Sequence, residues 1–168
     1  MGFFSIEATN FHWINGSKDN DEDLCLHGHA TVYIGKHKLE YDATISATAL
    51  YLLKTLTENH IINTDNQILP CCGFFMIPND TLDNVSISGC PNGIDWTVIH
   101  DENTVVLELE DGTRECVSIT DYKKEVFSFA DKIEAFYKSC TPKKMPTDEF
   151  GRNGYIAFWN EWHRRRNQ

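Results

Sequence analysis

Residues 24–37 read LCLHGHATVYIGKH and hold one cysteine and three histidines. In a strand, side chains two apart leave the same face. His27 and His29 therefore project side by side, and a pair of imidazoles so placed can chelate a metal ion. Zinc needs three or four ligands, each supported by a hydrogen-bond partner behind it. Cys25 falls on the same face, but at 3.3 Å per residue it stands about 13 Å from His29, too far to share an ion unless the strand bends. A third ligand then has to come from a neighbouring strand, and His12 and His37 are the candidates. The preferred reading is plainer: a partly exposed strand face that carries imidazoles, with no cofactor.

Other chemistry is thinner. Asp19, Asp21 and Asp23 are spaced like the start of a calcium loop. The pattern then needs Gly and Glu where this chain has Leu24 and Ala30. The segment NGSKDNDED reads instead as a solvated acidic loop between strands. No Gly-x-Ser-x-Gly elbow, phosphate loop or dinucleotide fingerprint occurs in the sequence. Cys71-Cys72 reads as strand-edge or core packing. Glu108 and Glu110 are two apart on a predicted strand and share its solvent face. Near the C-terminus, FWNEWHRRR sets aromatics beside arginines. Phe158, Trp159 and Trp162 have the spacing of a core-facing helix stripe. Their alternative use is as interface anchors, a role in which Trp is enriched.

Net charge is −10, with 25 acidic against 15 basic residues. Nucleic acid and anionic membranes both attract basic surfaces, so neither is an expected partner. An acidic chain suits a basic protein partner instead. The six cysteines are scattered, with no Cys-x-x-Cys, as in a reduced cytoplasmic protein. No basic-then-apolar leader opens the sequence, and Ile6 stands where a myristoylation pattern needs Ser or Thr.

The elements that would position these residues follow from periodicity. Over 24–34 the chain alternates, with Leu24, Leu26, Ala30, Val32 and Ile34 on one face and Cys25, His27, His29, Thr31 and Tyr33 on the other. A turn at 35–38 and alternation from Leu39 to Ile45 complete a hairpin. At Ser46 the period becomes helical through Ala49, Leu50, Leu53 and Leu56, with Ser46 or Thr48 as N-cap and an end near Asn59. Short strands are predicted over 72–77 and 85–88, then a meander over 95–100, 105–110 and 113–119. A two-residue turn at Asp111-Gly112 would set Glu108 opposite Glu115, and facing like charges are unfavourable. A three-residue turn with Gly112 left-handed pairs Glu108 with Arg114 and Val105 with Val117, and is preferred. A helix capped by Thr120 or Asp121 follows, with a stripe of Val126, Phe129, Ala130, Ile133, Phe136 and Tyr137. After a connector, in which Thr147 could start a short turn, the last helix covers 155–166. This is one domain over 1–168, of α+β class: an antiparallel hairpin and meander sheet with helices packed on one face.

The acidic loop NGSKDNDED, the acidic hairpin ELEDGTRE and the C-terminal GYIAFWNEWHRRR together resemble the small acidic immunity proteins encoded beside bacterial polymorphic and contact-dependent toxins. That resemblance implies a non-enzymatic inhibitor that occludes a basic toxin or nuclease domain. The contacts expected on this reading are Asp19, Asp21, Glu22, Asp23, Glu108, Glu110, Trp159 and Trp162. Two other readings stand beside it: a metal-dependent enzyme or metal-binding protein centred on His27 and His29, and a structural or regulatory subunit.

Overall fold

A computed structural model describes residues 1–64 and 66–168. The chain is α+β, and among the described residues every strand pairing is antiparallel. The first sheet has the order β1 (Phe4–His12), β2 (His27–Ile34), β3 (His37–Ala43). Strand β1 alternates Phe4, Ile6 and Ala8 inward. Strand β2 matches it with Ala30, Val32 and Ile34, so the expected apolar face is the buried one.

The expected strand start at Leu24 is not observed. Residues 24–26 precede β2, and Cys25 is buried, not exposed beside the histidines. The Leu26 amide donates to Ser46 Oγ and to the Tyr137 hydroxyl (both 3.1 Å), which ties this stretch to helices and not to β1.

Helix α1 (Ile45–Lys54) is apolar nearly all round and correspondingly buried. It ends before Asn59, and neither Ser46 nor Thr48 caps it, because Ser46 is already inside the helix holding Leu26.

Two short ladders follow. Strand β4 (Leu69–Pro70) pairs with β7 (Gly93–Ile94), and β5 (Phe75–Pro78) with β6 (Val85–Ser88). Leu69 to Ile94 and Phe75 to Ser88 lie in one continuous register, so these are two ends of a single hairpin interrupted in its middle.

The meander β8 (Thr97–Asp101), β9 (Thr104–Glu108), β10 (Arg114–Ser118) has the register argued from charge. Glu108 pairs with Arg114 and Val105 with Val117, and Gly112 is left-handed at φ +83°. Glu110 falls in the turn, not on a strand face beside Glu108, because the ladder ends at Glu108.

Helix α2 (Ile119–Ser139) is capped by Ser118, whose Oγ accepts from the Asp121 amide at 3.0 Å, two or three residues ahead of the expected cap. Helix α3 (Glu149–Arg166) starts a turn and a half earlier than its stripe suggested, because Asp148 accepts from the Gly151 amide at 2.6 Å.

Helix α2 lies across β1 and reaches β9 and β10. Helix α3 lies on β5 and β6, and α1 sits against both helices, β2 and β4. Buried side chains from all of them form one continuous cluster, with Trp13, Trp96 and Trp162 fully enclosed. No helix among the described residues is long and apolar enough to cross a membrane.

Candidate functional site

The histidine cluster divides into separate pieces. A bulge in β1 between Thr9 and His12, with Asn10 at φ +53°, swings His12 opposite His27. Their rings stack with centroids 5.8 Å apart. Burial pushes the His27 pKa down, opposed by Asp23 at 3.8 Å and reinforced by His12. His29 faces the other neighbour, β3. Its Nδ1 lies 2.8 Å from Asp42 Oδ1, and its Nε2 3.6 Å from Glu40. The Asp42 hydrogen bond pushes the His29 pKa up, and Glu40 adds to this. His37 starts β3 at the opposite end of the hairpin, across from Ile34. Thus His27 takes its partner from one strand and His29 from the other. Among the described residues, no three His, Cys, Asp or Glu side chains gather as a metal would need.

The acidic loop turns inward. Asp19 accepts from the Thr141 amide (3.1 Å) and hydroxyl (2.7 Å), and these bonds hold its carboxyl below the usual range. Asp21 pairs with Lys144 at 3.1 Å, and Glu22 approaches the same ammonium at 3.5 Å. Asp23 accepts from the Ile14 amide (2.7 Å) and the Cys25 amide (3.0 Å). The loop therefore clasps the connector between α2 and α3. Glu108 is matched by Arg114 at 2.6 Å, and Glu110 stands exposed in its turn. The two acidic groups do not form one patch. The loop adjoins the start of β2, while Glu110 shares a hollow with His37 and Leu39 at the far end of the hairpin. Eight residues of strand separate those ends by about 23 Å.

The two tryptophans part company as well. Trp162 is fully buried and its indole N–H donates to Glu134 at 3.2 Å, so it is core and cannot anchor a partner. Trp159 is half-buried and lines a hollow of about 310 Å³ with Tyr137, Tyr155, Lys138, Lys143 and His163.

The surface feature that sequence reasoning missed is aromatic. Phe74 (59% exposed), Phe75 (54%), Phe150 (51%) and Ile77 (44%) all face solvent. The Phe74 and Phe75 rings meet at 4.9 Å. Both line a hollow of about 210 Å³ with Phe150, Leu24, Met76 and Asp148. Strand β5 creates this patch by alternation: Met76 points in, so Phe75 and Ile77 point out. Helix α3 brings Phe150 alongside, since Gly154 lets β5 lie directly on the helix; a Cβ there would stand 2.1 Å from Met76 O. The clue in the sequence was parity, because in a strand Phe75 and Ile77 both lie on the face opposite Met76.

No protein-family model, curated protein or solved structure matches this chain.

Proposed function

We propose that this chain is a protein-binding module that docks through Phe74, Phe75, Ile77 and Phe150. The observation that carries the reading is the adjacency of two solvent-facing phenylalanine rings and a third across one hollow. Isolated apolar side chains on a surface are ordinary, but a contiguous patch of this kind marks an interaction site. Aromatic side chains bury large area at low entropic cost and form the anchors of interfaces. The particular form we propose is an immunity-type inhibitor that occludes a basic toxin domain. A net charge of −10 supports it, since it would steer a cationic partner and raise the association rate. On this reading the acids Asp19, Asp21 and Asp23 brace the scaffold, and Glu22 and Glu110 supply exposed charge.

The test uses the full chain as bait in lysate of the source organism at low salt, beside Phe74→Ser/Phe75→Ser. A partner held by the parent and lost by the double variant is the expected result. Release of a basic toxin domain on a salt gradient, and survival of cells that co-express that toxin with this chain, are expected for the inhibitor. Equal capture by both baits would remove the patch from the interface. A partner that resists high salt and is not toxic would point to a structural or regulatory subunit.

A further inference from the structure

The hairpin 69–78/85–94 keeps one register from end to end, yet its ladder is broken in the middle. Cys71, Cys72 and Cys90 lie in that gap, and none is in a disulfide. The Cys90 amide donates to Cys72 Sγ at 3.0 Å, where a ladder carbonyl would otherwise accept. Gly89 permits the approach, since a Cβ on it would meet Cys72 O at 2.1 Å and Cys72 Sγ at 3.3 Å. The amide-to-sulfur contact limits the two Cα atoms to about 7 Å, given two bonds on one side and one on the other. Disulfides span Cα separations of about 4.4–6.8 Å, so the pair stands at the reach of a disulfide. Cys72 and Cys90 are half-buried, not enclosed, and a small oxidant can reach them.

We propose that Cys72 and Cys90 form a reversible thiol-oxidation site, which closes to a disulfide across the interrupted hairpin when the chain meets a peroxide. The roles divide by environment. Hydrogen bonding with the Cys72 thiol, the Asn92 amide and the Cys71 thiol holds the Cys90 pKa below the ordinary thiol value, which favours the thiolate. Cys72 feels the Cys90 amide as a lowering influence, but the Cys90 thiol and burial outweigh it and leave its pKa raised. In the proposed sequence Cys90 attacks and Cys72 resolves. Cys71 borders both the Tyr41 hydroxyl on β3 and the Cys90 thiol.

The Cys90 thiolate attacks one peroxide oxygen. The S–O bond forms, the O–O bond breaks, and the leaving hydroxide takes a proton to become water. The Cys72 sulfur then attacks the Cys90 sulfenic sulfur. The S–S bond forms, the S–O bond breaks, and the hydroxyl leaves as water with the Cys72 proton. Two thiols are oxidised by two electrons, and one peroxide is reduced to two waters. A dithiol reductant reverses the link. This chemistry goes beyond the docking role and does not depend on it.

The experiment treats the purified chain with hydrogen peroxide and reads intact mass and a non-reduced peptide map. The expected result is loss of two hydrogens per chain, a Cys72–Cys90 cross-link, and recovery with dithiothreitol. Cys71→Ser should cross-link like the parent. Cys90→Ser should not cross-link. Cys72→Ser should leave Cys90 as a sulfenic acid that a dimedone probe traps. Oxygen addition at Cys90 of the parent chain without a cross-link would overturn the proposal, as would a Cys71–Cys90 link in the parent. The parent-chain map decides the matter even if a serine variant fails to fold.

Discussion

Arg165 donates through Nε to Glu161 Oε1 at 2.8 Å, one turn apart on α3, with the two residues 5% and 0% exposed. This pair locks three parts of the chain together. Glu161 Oε2 accepts from the Val85 amide at 2.7 Å, and Lys54 of α1 approaches Oε1 at 3.5 Å. Arg165 continues to Thr57 Oγ1 at 3.1 Å and to Glu58. Burial opposes the charge on Arg165, but the two glutamates outweigh it and raise its pKa. Removing one member of a buried pair strands the other. Arg165→Ala should therefore cost about 3–5 kcal/mol in urea unfolding. The double variant Glu161→Met/Arg165→Met should cost less than the two single losses together, because neither member of the buried pair is left facing a lost partner. Its residual cost is the orphaned Val85 amide, about 1–3 kcal/mol. Additive single losses would show that the pair is not coupled.

Gly154 gives a prediction in which two effects oppose. In an exposed helix interior, Gly→Ala stabilises by about 1 kcal/mol. Here the new Cβ would stand 2.1 Å from Met76 O, a main-chain atom that cannot swing aside. Overpacking costs about 1–3 kcal/mol and should win. Gly154→Ala is expected to lower the urea midpoint, and a raised midpoint would mean that β5 yields freely.

His27 and His29 should respond to pH with opposite signs. Burial lowers the His27 pKa from its ordinary 6.5, so its contribution is present above pH 6.5 and is lost as pH falls through the folded value. The Asp42 bond raises the His29 pKa from 6.5, so its contribution is present below pH 6.5 and is lost as pH rises through the folded value. Thermal midpoints measured between about pH 5 and 8 check both. His29→Asn should lower the midpoint at the acid end and leave the alkaline end unchanged. His27→Asn should flatten the fall toward acid. The same slope in both variants would contradict the assigned partners.

Much of the fold was legible where the controlling interaction is local. Alternation in 27–34 gave the buried face of β2, and the stripe Val126, Phe129, Ala130, Ile133 gave that of α2. Like-charge avoidance settled the β9–β10 register, because Glu108 and Arg114 are only a turn apart in the chain. Strand β1 carries the same alternation in Phe4, Ile6 and Ala8 and was open to the same reasoning. The candidate site was less legible. Asp19 looks like free charge in sequence and is in fact spent on Thr141, 122 residues away. Cys25 looked like a neighbour of His27 and is buried against Gly73 O.

The sequence by itself determined periods, turns, charge and the α+β class, since these depend on steric and electrostatic preferences between residues close in the chain. Only the tertiary structure decided which polar groups face solvent and which face each other. It turned the acidic loop onto the connector, buried Glu161 with Arg165, and left Phe74, Phe75 and Phe150 outside. The physical reason is that a side chain's partner, unlike its periodicity, is set by segments that meet only after the chain has folded.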